Sequence, residues 1–353
     1  MDIRSLIKLA GLMTISLSSV LLTPLSFSDI NTGTNSEDRF WINRTHQNLG
    51  KVNNFQAVIE QTISNKPSAI VSDVSFQKPN EFYQKVTQPD SLKGFEASYR
   101  NNTITLHHVL RKQAIEIKGL QEYKNDSSLE RVKGVYLYNK EHYDQEFTPS
   151  IHVADRLSVG IDFMAKDDNL EIRKVEGFVD YHHSLFMQAN FIFNNGLESK
   201  IKNSSMEFNK ENLLIPAINL PDDTETYAWD FSKKHLSKNK VSKKVDPAII
   251  WPEDKENNWN FKAYEFYQYG GKKNAAAYYY SDNFFLITLT KPRNSVKLTN
   301  LGVSLTLENI KVALNQFPAF TNLEFEYNGI HYTLVSNAHP ESLITMVKDM
   351  IKN

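Results

Sequence analysis

Residues 74–110 constrain the fold of this chain more than any other stretch, because apolar and polar side chains alternate through them. In residues 95–100 the apolar side chains fall at every second position, as a strand with one buried face requires. Asn101-Asn102 then supplies a two-residue turn, since asparagine tolerates the positive φ angles of a type I′ hairpin. The alternation resumes over residues 103–110, where one face is predicted to carry Ile104, Leu106 and Leu110. We therefore predict consecutive antiparallel strands with one buried face.

The same period continues on both sides of this stretch. Strands are predicted at residues 55–63 and 69–76 before it, and at 157–165, 170–181, 185–193 and 197–208 after it. Residues 36–48 predict a short helix, and residues 129–143 have a helix-like spacing that suits a lid over the sheet. The predicted fold class is α+β. We expect an antiparallel half-barrel with short helices on its concave side, followed by a smaller C-terminal α+β domain.

A basic, proline-punctuated segment at residues 223–247 separates the sheet from the C-terminal region. We predict a solvated linker here, and contact of its lysines with anionic lipid head groups is the alternative. Beyond it, strands are predicted at residues 261–269, 276–281, 284–290, 303–307, 323–327 and 331–335, with a final helix from Pro340. The predicted organisation is a signal peptide at 1–28, a half-barrel domain at 29–222, the linker at 223–247 and the second domain at 248–353.

The first 28 residues have the features of an export signal. Arg4 and Lys8 precede an apolar run, and Ser26-Phe27-Ser28 places small residues at positions −3 and −1 of a cleavage site. An uncleaved membrane anchor is the alternative, since residues 9–27 are almost long enough to span a bilayer. Serine and threonine within the run favour cleavage, so we expect removal after Ser28 and a location in the periplasm.

Charge and cysteine content exclude several function classes. The 40 lysines and arginines balance 41 acidic residues, so the basic excess that supplies phosphate contacts in nucleic-acid-binding proteins is missing. We expect no nucleic-acid partner. The chain has 0 cysteines, which excludes a lipobox cysteine, disulfides, a thiolate nucleophile and cysteine-based metal sites.

Motifs for catalysis or for a cofactor are also missing from the sequence. There is no Gly-x-Ser-x-Gly, no His-Glu-x-x-His and no glycine-rich phosphate loop. His107-His108 and His182-His183 are unsuited to chelating one metal, because neighbours on a strand point to opposite faces. Asp167-Asp168 and Asp222-Asp223 lie in turn-like contexts. We predict a non-enzymatic protein with no cofactor and no metal, although dispersed catalytic residues leave a hydrolase as an open alternative.

The remaining candidate is a site defined by shape. A long sheet with large apolar side chains on one face can wrap around helices, either as a plain core or as a cavity for acyl chains. The residues predicted to line such a cavity are Phe82, Phe95, Tyr99, Ile104, Leu106, Met187, Phe191 and Phe193.

Several segments resemble the superfamily of LolA-type lipoprotein carriers and the two-domain RseB (MucB) regulators of sigma-E. For the carriers these are Lys78-Pro79-Asn80-Glu81-Phe82, the hairpin at 99–106, Val179-Asp180-Tyr181, Asn195-Gly196 and Met206-Glu207-Phe208-Asn209. For the two-domain proteins they are Tyr280-Ser281-Asp282-Asn283-Phe284-Phe285 and the hairpin at 328–335 with the helix after it. The sequence departs from these patterns at Asn283, where glycine is usual, and at Phe186, where proline is expected.

The resemblance implies a non-enzymatic periplasmic or envelope protein that binds lipid or lipoprotein acyl chains in an apolar half-barrel, as a carrier or a sensor. A regulatory module acting on a membrane-bound partner such as an anti-sigma factor is the alternative that it implies. The carriers also use an arginine that bonds to their lid, for which Arg100 and Arg111 are candidates here. On the residues alone, both are surface charges at strand ends.

Overall fold

The computed structural model of this chain describes residues 47–48, 51–78, 81–120, 141–232, 235–245, 249–253, 261–269, 272–280, 285–292, 302–316 and 321–352. Within these ranges the backbone forms a twelve-stranded sheet and a seven-stranded sheet. Two helices accompany the second sheet, α1 (Lys238–Val245) and α2 (Pro340–Lys352). No helix in this part of the chain is long and apolar enough to cross a membrane.

The first sheet is open and almost entirely antiparallel. Its strands are β1 (Asn54–Ile63), β2 (Ile70–Gln77), β3 (Glu81–Gln88), β4 (Phe95–Arg100), β5 (Thr103–His108), β6 (Gln113–Lys118), β7 (Tyr143–Val153), β8 (Arg156–Ala165), β9 (Ile172–Asp180), β10 (Phe186–Phe193), β11 (Glu198–Phe208) and β12 (Glu225–Asp230). Their order in space is β12-β6-β5-β4-β3-β2-β1-β11-β10-β9-β8-β7, and only the β12–β6 pair is parallel. From β1 in the middle of the sheet, β2 to β6 run outward towards one edge. The chain then crosses to the other edge at β7, and β8 to β11 run inward to β1 before β12 forms the first edge beside β6.

The second sheet is antiparallel throughout. Its strands are β13 (Phe261–Tyr269), β14 (Lys272–Tyr280), β15 (Phe285–Pro292), β16 (Val303–Leu307), β17 (Ile310–Gln316), β18 (Thr321–Tyr327) and β19 (Ile330–Ser336), in the order β13-β14-β15-β19-β18-β17-β16. The predicted strands and the final helix of this region are confirmed. The sequence analysis did not predict β17.

The two predicted hairpin turns are confirmed by their backbone angles. Asn101 and Asn102 have φ values of 50° and 58°, and Asn328 and Gly329 have values of 47° and 76°. These are the left-handed conformations that a type I′ turn needs, and asparagine and glycine adopt them with the least strain. The local residues thus set the register of β4 against β5 and of β18 against β19.

The prediction for Leu110 is wrong. The β5 strand ends at His108, and residues Val109–Arg111 form a 3-10 turn closed by Lys112 in a left-handed conformation. Leu110 is 65 % exposed, whereas Ile104 and Leu106 are buried. The turn reverses the chain between β5 and β6, so the alternation of the sequence stops two residues earlier than its pattern indicates.

Residues 223–247, predicted to be a solvated linker, hold two regular elements. The first is β12, which extends the first sheet beside β6. The second is α1, a mostly polar helix that packs on β13 and β14 through the buried Val241. Its lysines lie on the exposed side, because only Val241 and Val245 of its eight residues are apolar, which leaves most of the helix surface to solvent.

Most of the helices predicted for the concave side lie outside the described residues. Of residues 36–48 only Gln47 and Asn48 are described, both in helical conformation. Of residues 129–143 only the last three are described, and Tyr143 is the first residue of β7 instead of the end of a helix.

The two sheets are in contact. The ring of Phe231, which follows β12, lies 5.4 Å from the ring of Tyr278 in β14. Asn195 Nδ2, in the turn between β10 and β11, donates a 3.1 Å hydrogen bond to the carbonyl of Ser304 in β16. Lys348 of α2 reaches the turn before β9, where its Nζ lies 3.0 Å from Glu171 Oε1.

Candidate functional site

The registers of the first sheet define one continuous buried face. Across its central strands, Phe208, Phe55, Phe76, Phe82, Tyr99, Ile104 and Ile117 form a row of side chains on the same side. We call the side that carries this row the inner face, and the opposite side the outer face. Seven adjacent strands contribute to the row, so the apolar surface crosses more than half of the sheet.

The structure places five of the eight predicted cavity residues side by side on β3, β4 and β5. Phe82 pairs with Tyr99, and Tyr99 pairs with Ile104. Leu106 lies two residues after Ile104 on β5, and Phe95 lies four residues before Tyr99 on β4. Phe82, Phe95, Ile104 and Leu106 are buried, and Tyr99 is half-buried. These residues form one contiguous patch.

The other three, Met187, Phe191 and Phe193, lie on β10 and are also buried. Phe191 is on the inner face, because it pairs with Ser199 and Ser199 pairs with Ile63 of β1. Four strand steps separate β10 from β3, which is about 19 Å along the sheet. The predicted residues thus form two apolar groups on one surface, with β2, β1 and β11 between them.

Aromatic rings continue along this surface to a charged cluster at its end. Phe55 stacks on Phe76 at 5.3 Å between centroids and meets Phe208 edge-on at 6.5 Å. Phe208 in turn carries two polar groups: the His183 ring is stacked on it at 4.0 Å, and the Arg156 guanidinium carbon lies 4.7 Å from its centroid. The apolar row therefore ends against a cationic group.

Asp180 holds this cluster together. Its carboxylate accepts a hydrogen bond of 2.7 Å from Arg156 Nε and another of 2.7 Å from the backbone N–H of His183. The side chain of Asp180 is 0 % exposed. Burial on its own raises the pKa of Asp180, but the hydrogen bonds from His183 and Arg156 outweigh it and lower this pKa to about 2. The Asp180 carboxylate is therefore ionised at neutral pH.

His183 joins Asp180 and Arg156 in this cluster. His183 Nδ1 lies 3.0 Å from Asp180 Oδ1 and 2.8 Å from Arg156 Nη2. A hydrolytic triad would also need a hydroxyl at Nε2, and no described residue bonds to that atom. Asp180 instead bonds the turn at residues 180–184 to the start of β8.

Five buried polar residues interrupt the inner face near its centre, and we call them the polar patch: Gln61, Ser72, Gln84, Ser199 and Asn203. Gln61 Nε2 donates a hydrogen bond of 3.2 Å to Ser199 Oγ, and Gln84 Nε2 donates one of 3.0 Å to Ser72 Oγ. Each glutamine thus pairs with a serine on the neighbouring strand.

Asn203 has a different arrangement. Its Nδ2 donates hydrogen bonds to the carbonyls of Phe186 (2.9 Å) and Met187 (3.2 Å). These two residues lie where the register of β10 against β9 shifts, so a bulge exposes their carbonyls to the asparagine. Asn203 therefore holds the bulge through both of its N–H hydrogens.

Of the remaining candidates from the sequence, only His108 lies on the inner face. Arg100 Nε pairs with Glu81 Oε1 at 3.2 Å at the exposed end of the β4–β5 hairpin, and Arg111 is exposed in the 3-10 turn. His107 and His108 point to opposite faces, as predicted, since they pair with Glu96 and Phe95. Burial lowers the pKa of His108 to about 4, and the nearby Arg111 and His107 add to the shift, so this inner-face ring is neutral at pH 7.

Sequence reasoning did not single out the polar patch or the Arg156–Asp180–His183 cluster. For the patch a signal was present, because Gln61 occupies an inward position of the alternating strand β1. A glutamine among buried apolar positions marks a site where a hydrogen bond is needed. For the cluster, Arg156 begins β8, Asp180 ends β9 and His183 lies in the turn that follows, and no local pattern joins them.

Comparison with known proteins gives similarities of structure alone. No family model matches the sequence, and no curated protein matches it either. Among solved structures, MucB is similar over 91 % of this chain and 98 % of its own, with 12 % identity and a TM-score of 0.47. The MucA/MucB complex of Pseudomonas aeruginosa covers 88 % of this chain and 97 % of its own (11 % identity, TM-score 0.42). A LolA superfamily protein from Nitrosomonas europaea covers 50 % and 95 % (11 % identity, TM-score 0.24).

Proposed function

We propose that this chain is a non-enzymatic protein of the periplasm or cell envelope whose inner face binds the acyl chains of lipids or lipoproteins. The observation that carries the proposal is the apolar row on the inner face from Phe208 to Ile117, which crosses seven adjacent strands of an open sheet. Flexible acyl chains bind to broad apolar surfaces with few polar anchors, and the eight cavity residues supply such a surface. In this proposal the predicted leader, residues 1–28, exports the chain and is cleaved after Ser28.

The charges around this surface are consistent with an apolar ligand. His108 is neutral at pH 7 and lies edge-on to Phe95, 5.1 Å between ring centroids. Among the described residues, the row from Ile117 to Phe208 contains no charged side chain. Charged groups lie beside its Phe208 end, where Arg156 and Asp180 form an ion pair. An acyl chain along the row would therefore meet no charged group before the Arg156–Asp180 pair, of which Arg156 is 25 % exposed.

Native mass spectrometry of the mature protein tests this proposal. The protein is purified from its own cell envelope without detergent. We expect a bound lipid or acylated peptide in the spectrum. Tyr99→Gln, on the inner face, should reduce the bound fraction, whereas Thr105→Gln, on the outer face of the neighbouring strand, should retain it. A mass of the chain alone, from protein that also takes up no added fatty acid, would contradict the proposal.

A regulatory module that acts on a membrane-bound partner such as an anti-sigma factor is the second candidate. The contacts between the two sheets favour it, because Lys348, Asn195 and Phe231 join the ligand-binding sheet to a separate sheet that could present a partner surface. Cross-linking in living cells tests this candidate. Recovery of an inner-membrane protein is expected, and its consistent absence would contradict the candidate.

A further inference from the structure

Two acceptor atoms of the polar patch have no hydrogen-bond partner among the described residues. Asn203 Oδ1 and Gln84 Oε1 are both buried from solvent, and no donor in the described part of the chain lies within bonding distance of either. A buried, unpaired amide oxygen costs about as much as a lost hydrogen bond, and native proteins rarely leave one empty. Two such atoms on one surface therefore point to a group that completes them.

The hydrogen bonds of the two amides define which of their atoms is left unpaired. The Nδ2 group of Asn203 faces two backbone carbonyls, which only accept hydrogen bonds, so its oxygen must point away from them. In Gln84 the Nε2 group donates to Ser72 Oγ, and Oε1 is the oxygen left without a partner among the described residues.

Gln84 and Ser72 together offer one acceptor and one donor. Ser72 Oγ accepts the Gln84 hydrogen bond, which leaves the hydrogen of its own hydroxyl to donate. A secondary amide carries the complementary pair, an N–H and a carbonyl oxygen. An ester has the carbonyl but lacks the donor, so it would leave Gln84 Oε1 unpaired.

We propose that the inner face recognises an amide-linked acyl chain, with the amide at the Gln84–Ser72 pair and the chain along the apolar residues beside it. The inference rests on the proposed function, since it names the chemical class of acyl ligand that the inner face takes. Gln84 lies on β3 in the row of Val74 and Ala97, adjacent to the row of Phe82 and Tyr99. The acyl chain therefore extends from the polar pair directly onto the predicted cavity residues.

A matched pair of ligands tests the inference on the full mature protein. N-propylhexadecanamide and propyl hexadecanoate have the same length and differ by N–H in place of oxygen, and each competes against a bound fluorescent fatty acid. Pairing the buried acceptor with the N–H should make the amide bind about tenfold more tightly than the ester. An N-palmitoyl dipeptide and N-palmitoylethanolamine, compared in the same assay, separate an acylated polypeptide from a free lipid as the source of the amide.

Gln84→Met keeps the shape of the side chain and removes the acceptor, so the tenfold preference for the amide should disappear while ester affinity is retained. Gln61→Met is the matched control, because Gln61 is equally buried and paired to a serine, yet its oxygen is not among the unpartnered atoms. It should keep the preference. Equal affinity of the unmodified protein for amide and ester would overturn the inference. Buried water would then be the partner of these acceptors, and the proposal of acyl binding would be unaffected. Failure of both ligands to bind would overturn the proposed function as well.

Discussion

The carboxylate of Glu341, in the first turn of α2, accepts a hydrogen bond from the backbone N–H of Ile172 at the start of β9, with 2.8 Å between Oε2 and the nitrogen. Its other oxygen accepts the N–H of Glu171 at 3.0 Å. Glu341 is fully buried, so this contact joins the helix of the second sheet to the first sheet away from water. It is the polar centre of the contact between the sheets.

Replacing Glu341 with alanine should lower the free energy of unfolding by about 2–4 kcal/mol, because two buried N–H groups lose their acceptor. Urea denaturation at pH 5 measures the loss. Asp349→Ala is the matched control, since Asp349 is exposed on the same helix, and its effect should stay within about 0.5 kcal/mol. Equal effects of the two substitutions would show that the buried contact does not stabilise the protein.

The same contact should give two opposing pH dependences. Burial raises the pKa of Glu341 from 4.5 to about 7, with Lys348 opposing and Glu171 reinforcing the shift. Burial lowers the pKa of His339 from 6.5 to about 3, and the nearby His142 adds to it. The stability that Glu341 contributes is present below pH 4.5 and is lost as pH rises to about 7. The stability that His339 contributes is present above pH 6.5 and is lost as pH falls to about 3.

Between pH 4.5 and 6.5 these two slopes cancel in the unmodified protein. The contribution of Glu341 is therefore measured by subtracting the free energy of unfolding of Glu341→Gln from that of the unmodified protein. This difference should fall by about 3 kcal/mol as pH rises from 4.5 to above 7. For His339→Asn the corresponding difference should rise with pH between about 3 and 6.5. Chemical denaturation across this range measures both differences, and two curves of the same sign would refute the assignment.

Asn203 should stabilise the bulge in β10. Asn203→Ala leaves the buried carbonyls of Phe186 and Met187 without donors, and we expect a loss of about 2–3 kcal/mol in thermal or urea unfolding. Asn190→Ala is the control, because Asn190 lies on the outer face, where it bonds to the partly exposed Glu176 and Glu198. Its substitution should cost less than about 0.5 kcal/mol. A similar cost for both would mean that the bulge does not depend on Asn203.

Gly177 makes room for Phe186 on the inner face. A Cβ at Gly177 would lie 2.3 Å from Phe186 Cε1, so Gly177→Ala forces the aromatic ring to move and should cost about 1–3 kcal/mol. Phe186→Leu in the same chain removes the clash. The double variant, measured by thermal unfolding, should therefore lose less than the sum of the two single variants. Strict additivity would exclude this contact.

The sequence predicted those parts of the fold that local residues determine. Alternation predicted β1 to β5, and the Asn101-Asn102 turn predicted the β4–β5 hairpin, because both signals are local in the sequence. The parallel pairing of β12 with β6 was not predictable in this way, since Tyr227 and Ile115 are brought together by tertiary packing alone. The 3-10 turn at Leu110 was missed because Lys112, which closes it in a left-handed conformation, gives no strong turn signal.

For the site, the same distinction holds. The apolar cavity residues were predictable because burial of one face imposes a period of two on each strand. The buried role of Glu341 was not predictable. An acidic residue in the first turn of a helix is common at exposed positions too, where it interacts favourably with the helix dipole. Only the three-dimensional contact with Ile172 shows that its carboxylate is buried and joins the two sheets.

Photo-cross-linking with a diazirine-bearing fatty acid tests the central claim, that the inner face is the acyl-binding surface, most directly. Residue-level mass spectrometry of the labelled protein should find modified positions that alternate along the strands, on Phe82, Phe95, Tyr99, Ile104, Leu106, Met187, Phe191 and Phe193. The outer-face neighbours Tyr83, Glu96, Ser98 and Thr105 should remain unlabelled. Labelling of both faces alike, or of the second sheet in preference to the first, would contradict the account.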